Sequence, residues 1–96
     1  MNYCYIIYST KIDKYYIGET ENFEKRLLEH NSGFFKNAYT KQATDWEKYL
    51  VIKCINRAQA RKMENFIKKM KSKVFIIKLK ENPNMVNEIL SKFDLE

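Results

Sequence analysis

The stretch NYCYIIYSTKIDKYYIGET, residues 2–20, decides the fold. Asn2–Ser9 is aromatic and β-branched with a continuous apolar run, the pattern of a buried strand. Thr10–Lys14 is polar and turn-like. Tyr15–Thr20 predicts a second strand, paired with the first as a hairpin across a loop of about five residues. Cross-strand pairing then brings the hydroxyls of Tyr5 and Tyr16 together. Gly18, just after Tyr16-Ile17, leaves room for backbone or a ligand to approach closely.

Outward from the hairpin, Thr20 or Asn22 can cap a helix that Gly33 stops. Phe23, Leu27 and His30 fall at i, i+4 and i+7 of that helix, and Arg26 and His30 border the stripe as cleft-lining residues do. A lone histidine at the end of such a stripe is more often a satisfied core residue. Phe34–Thr44 reads as a loop and Trp46–Ile55 as a third strand. Asn56 with Gln59 outlines a capping box for a second helix, whose stripe is Ala60, Met63, Ile67 and Met70. Lys73–Lys80 is ambiguous between strand and helix by periodicity alone. Asn82-Pro83 predicts a cap and first residue of a last helix, with Val86, Ile89, Leu90 and Phe93 at i, i+3, i+4 and i+7. The order β-β-α-β-α plus C-terminal helices predicts an α+β fold, a three-stranded, mainly antiparallel sheet flanked by helices.

Ninety-six residues are one domain's worth of chain, so residues 1–96 are expected to form a single domain. Two glycines and one proline exclude collagen-like and most disordered classes. The sequence encodes no membrane span and no visible secretory signal, which predicts a soluble cytoplasmic protein. Cys4 and Cys54, each isolated in an apolar run, are expected to be reduced core residues.

The net charge of +6 is unevenly placed. Residues 57–80 hold nine basic side chains against Glu64 alone, while the rest of the chain nets −2. A concentrated basic field attracts polyanions through counterion release. Glu64 borders the second helix's buried stripe, with Arg61 at i−3 and Lys68 at i+4. Surface helix pairing alone would explain those neighbours, at a few tenths of a kcal/mol each.

Taken as one ordered series, these residues resemble the GIY-YIG nuclease superfamily, in its compact single-domain form. Tyr3-Cys4-Tyr5 stands in place of Gly-Ile-Tyr, and Tyr16-Ile17-Gly18 is intact. Residues 18–33 look like the family's arginine–histidine helix, Tyr39-Thr40 like the Tyr-Thr pair of compact members, and Ala60–Glu64 with Ile67-Lys68 like its glutamate helix. The motif-bearing resemblance covers about residues 2–73, with 74–96 as a helical extension, and by analogy favours helix for Lys73–Lys80. Many members carry a further asparagine after the glutamate helix; the candidates are Asn65, Asn82 and Asn84.

The resemblance implies a DNA endonuclease, structure-specific or tied to repair or recombination, with one Mg²⁺ (or Mn²⁺) on Glu64. A carboxylate is the hard oxygen ligand such an ion takes. Arg26 would clamp the scissile phosphate. Tyr5 and Tyr16 would orient the attacking water, one as general base if nearby cations stabilise phenolate. His30 would carry a proton or contact phosphate. Gly18, Tyr39, Thr40, Arg61, Lys68 and Lys69 are expected along the nucleic acid. A monomer or weak homodimer is expected. The competing readings are a non-cleaving nucleic-acid binder of the same fold and a module whose basic helix binds an acidic protein.

Overall fold

The computed structural model describes residues 1–33 and 39–93. Strand β1, Asn2–Ser9, lies at the centre of a three-stranded antiparallel sheet, with β2, Lys14–Thr20, on one side and β3, Glu47–Cys54, on the other. Four helices flank it: α1 (Phe23–Asn31), α2 (Arg57–Met70), α3 (Lys73–Glu81) and α4 (Pro83–Ser91), with a short 3₁₀ turn at Tyr39–Gln42. This is the expected α+β architecture.

Because β1 is central, four consecutive residues, Cys4 to Ile7, are buried. Alternation sends them to two cores. Cys4 and Ile6 join Ile52 and Cys54 beneath Ala60, Met63 and Ile67 of α2, Ile76 and Leu79 of α3, and Val86 and Ile89 of α4. Tyr5 and Ile7 point to the opposite face, where Phe23 of α1, Ala43 and Trp46 cover them. Both cysteines are free and buried.

The caps follow the sequence. Asn22 Oδ1 accepts from Lys25 N at 3.1 Å, while Thr20 Oγ1 accepts from Asn22 N, so both cap candidates serve α1. Asn56 Oδ1 accepts from Gln59 N and Gln59 Oε1 accepts from Ile55 N, each at 2.8 Å. The box therefore closes one residue earlier than the cap itself. Ser72 Oγ caps α3, and the amphipathic trio Phe75, Ile76 and Leu79 turns that segment's β-branched content into a helix face.

Four expectations shift at their edges. Trp46 stands outside β3, because the Asn31 side-chain amide takes both its N–H and its C=O, at 2.7 and 2.9 Å. Met70 leaves the α2 stripe and is exposed: it closes the helix just before Lys71, which turns left-handed at φ 47°. Lys14 joins β2, leaving a four-residue turn that Asp13 closes at φ 52°. Asn82 begins α4 without a side-chain cap and instead donates to Lys78 O at 2.9 Å. Of the Phe34–Thr44 loop, residues 34–38 lie outside the described residues, as do 94–96 of the C-terminal extension.

Candidate active site

The hairpin register builds the site. Tyr5 pairs with Gly18 and Ile7 with Tyr16, so the two tyrosines are diagonal neighbours on the face under α1. Their ring centroids are 6.3 Å apart. A Cβ on Gly18 would stand 2.5 Å from the Tyr5 hydroxyl oxygen. The space expected for a ligand above Gly18 is thus filled by the protein's own phenol.

Tyr5 is 1% exposed, and its oxygen lies 2.8 Å from His30 Nε2. The Arg26 guanidinium approaches the same phenol. Burial pushes the Tyr5 pKa well up, the nearby Tyr16 adds to this, and Arg26 opposes it without winning. Tyr5 therefore stays a protonated phenol at neutral pH. The Arg26 charge does not prevail over desolvation at this residue.

His30 is 3% exposed, and its other ring nitrogen, Nδ1, lies 2.6 Å from Thr40 Oγ1. Burial, then the Arg26 charge, pushes its pKa down to about 4, so the ring is neutral. Thr40 itself is 1% exposed, and its carbonyl accepts from Trp46 Nε1 at 2.8 Å. Thr40 accordingly sits behind His30 and not with the surface cations, where the resemblance grouped it. A buried hydroxyl with its partner already in place is out of a phosphate's reach. The side chain of Tyr39 lies outside the described residues.

Glu64 arrives from the opposite layer. Helix α2 packs on the Cys4 face of the sheet, yet β2 is an edge strand, so side chains of α2 can reach around it. Glu64 Oε2 accepts from Lys68 Nζ at 2.5 Å, and that ammonium stands 5.8 Å from the centroid of the Tyr16 ring. The Glu64 charge is felt at Tyr5. Tyr16 is half-buried and lies 5.1 Å from the His30 ring, edge to face. Arg26, half-buried and paired with Glu29 at 3.4 Å, lines a groove of about 380 Å³ together with Lys25, Arg57 and the carboxylates Glu19, Glu21 and Glu29.

Five of the expected residues thus form one connected cluster: Glu64, Lys68, Tyr16, Tyr5 and Arg26, with His30 behind. Arg57, Arg61, Glu64 and Lys68 follow one another at i, i+4, i+7 and i+11, a single stripe along α2. Lys69, five residues beyond Glu64, is turned about 140° from it around the helix axis. It points away from the cluster. Asn82 and Asn84 are both exposed, Asn82 at the α3–α4 junction. Sequence reasoning missed Asn31 and Trp46, which tie the end of α1 to the segment carrying Thr40. Their only sequence signal was the adjacency of Asn31 to His30.

A family model described as the GIY-YIG catalytic domain matches residues 1–82 of the chain. The match indicates a nuclease, a hydrolase whose substrate is nucleic acid. The protein belongs to the GIY-YIG family. The match takes in α3 as well as the motif-bearing residues 2–73. Comparison with the curated proteins and with the solved structures finds no match. No helix among the described residues is long and apolar enough to cross a membrane.

The donor set limits what a metal could be. Among the described residues, no three His, Cys, Asp or Glu side chains gather at one point. A lone carboxylate fits Mg²⁺, which keeps several waters and shares its remaining positions with substrate phosphate. It does not fit a structural zinc site. Lys68 engages one oxygen of Glu64 and leaves the other available to an ion.

Proposed function

We propose that the protein is an endonuclease that hydrolyses DNA phosphodiester bonds with one Mg²⁺ or Mn²⁺ held by Glu64. The observation that carries this reading is the meeting of Glu64, Lys68, Tyr16, Tyr5 and Arg26 around the β2 edge, from two helices on opposite faces of the sheet. A bound ion would polarise a phosphate oxygen and offset charge on the leaving oxygen. Arg26 offers a planar fork to the scissile phosphate. Tyr16, the half-buried phenol, orients the attacking water. Tyr5, held beneath it, positions its neighbours and keeps its proton.

The α2 stripe supplies the grip. From Arg57 to Lys68 it rises about 16 Å, the length of about five nucleotides of one strand. Glu64 interrupts the cations near the middle, so an ion there would lie beneath a strand held on both sides. Contacts of this kind go to phosphates and carry no base sequence, which suits recognition of DNA structure in repair or recombination.

The test is Glu64→Gln on nicked, branched and linear labelled DNA. Cleavage in Mg²⁺ should be lost with fold and DNA binding unchanged. Equal cleavage by variant and parent overturns the assignment of Glu64. One observation favours a second reading: the Lys68 ammonium already neutralises the carboxylate, as it would in a non-cleaving binder. A parent protein that binds DNA yet leaves it intact in both Mg²⁺ and Mn²⁺ would select that reading.

A further inference from the structure

We propose that the groove between β2 and the α2–α3 junction holds one unpaired nucleotide of the strand beside the scissile phosphate, its base on an apolar floor and its phosphates on a rim of lysines. The groove encloses about 250 Å³. Lys14 enters it from the start of β2, Lys68 and Lys71 from the end of α2, and Lys73 from the start of α3. All four are exposed. Beneath them Ile67 and Ile76 are 2% and 6% exposed, and Tyr15 is half-buried.

Two grooves border the Glu64 cluster, and they differ in charge. The one beside Arg26 mixes its cations with Glu19, Glu21 and Glu29. The one at Lys14 is lined by four ammonium groups and, among the described residues, by no carboxylate. Asp13 stands outside this lining and holds Lys73 at 3.4 Å. A polyanion leaving the cluster is therefore drawn towards Lys14. Lys68 belongs to both places, since its ammonium meets Glu64 and stands 5.8 Å from the Tyr16 ring. The edge strand joins them too: Tyr16 faces the α1 side of the sheet and Tyr15, the residue before it, the α2 side. A strand with a phosphate at Tyr16 thus brings a neighbouring nucleotide to the groove around the β2 edge.

Phosphates would satisfy the lysines but leave the floor unexplained. A duplex keeps its bases stacked inward and presents only its backbone there. An unpaired nucleotide offers a flat ring and a phosphate together, and aromatic and apolar side chains take such a ring whatever the base. The volume is below the ~300–1,000 Å³ of sites for drug-sized ligands, which suits one ring system and not a stack.

The proposal rests on the nuclease reading for where the scissile phosphate lies, but its test needs no cleavage. Anisotropy of labelled DNA with the full-length protein in chelator compares a blunt duplex with one carrying a four-nucleotide overhang. The parent should bind the overhang DNA about fivefold or more tighter. An abasic residue, which removes a base and keeps its phosphate, should cancel that preference at one overhang position and matter little at the others. Lys14→Ala with Lys71→Gly should cancel it as well; glycine suits the left-handed backbone at Lys71, so the fold is kept. Lys53→Ala with Lys78→Ala removes the same charge elsewhere and should keep the preference. Equal binding of the two DNAs by the parent, or abasic losses at none or equally at all positions, overturns the proposal. A parent that shows the single-base dependence yet cleaves nothing in Mg²⁺ or Mn²⁺ supports the groove and counts against the nuclease reading. A parent that cleaves but has no overhang preference overturns the groove alone.

Discussion

The hydroxyl of Tyr5 lies directly over Gly18, its cross-strand partner, 2.5 Å from the point a Cβ there would occupy. No rotation of a small group can relieve that contact. The Tyr5 ring is backed by Phe23, with centroids 5.5 Å apart, and its oxygen is tied to His30.

Gly18→Ala is therefore expected to cost about 1–3 kcal/mol, the range for overpacking a core. It should also displace the phenol from His30. Urea denaturation measures the first effect, and the ¹⁵N resonances of His30 measure the second. An alanine variant as stable as the parent would mean that the strands part at no cost, against the packing described here.

The hairpin, α1 and α2 were legible because each rests on local chemistry: apolar runs in the strands, the caps at Asn22 and Asn56, and the left-handed Gly33 after α1. The cap expected at Asn82 did not form, and that of α3 at Ser72 was not foreseen. The segment at Lys73 was not legible, since Val74-Phe75-Ile76-Ile77 suits strand and helix equally until Ile76 and Leu79 are seen to pack on α2. The site was legible as residue types in order, but not in depth. Nothing local distinguishes the buried Tyr5 from the half-buried Tyr16, because that difference comes from which phenol lies over glycine and under α1. Thr40 was misplaced for the same reason: its burial depends on Trp46 and Asn31, fifteen positions apart in sequence and joined only by the fold.

The two tyrosines should separate by experiment. Tyr5→Phe removes the partner of a buried histidine nitrogen and should lower stability by about 1–3 kcal/mol as well as slowing cleavage. Tyr16→Phe should change stability far less and reduce the cleavage rate by about 10²-fold or more, the scale for a group acting on the proton of the attacking water. Thermal unfolding and single-turnover cleavage, run on both variants, give the comparison. The reverse pattern would exchange their roles.

His30 predicts how stability responds to acid. Its pKa falls from 6.5 in the unfolded chain to about 4 in the fold, so between those values the unfolded state binds the extra proton. The contribution is complete above 6.5 and is lost as pH falls through about 4, on the order of 3 kcal/mol in all. Asp13 and Asp45 have lowered pKa values too, Asp13 through Tyr8 and Asp45 through Ser9, but they titrate below 3.8 and so act in a more acidic window. Urea midpoints taken at intervals through this range should fall for the parent and stay nearly level for His30→Gln. A level parent curve would place His30 in contact with solvent.

The α2 stripe makes the last prediction a contrast between neighbours. Arg61 and Lys68 share the face of Glu64, whereas Lys69 is turned about 140° from it. If one DNA strand lies along that face, Arg61→Ala and Lys68→Ala should each weaken binding and reduce the dependence of log K on log salt by about one unit. Lys69→Ala should change neither quantity, although it removes the same charge from the same helix. Lys68→Ala carries a second consequence, because its ammonium sits 2.5 Å from Glu64 Oε2. Without it the carboxylate is free on both oxygens, so Mn²⁺ affinity measured by calorimetry should rise while DNA affinity falls. Arg61→Ala should lower DNA affinity with Mn²⁺ affinity unchanged. Equal effects from Lys69 and Lys68 would mean that DNA responds to the net charge of the helix and not to a track beside Glu64.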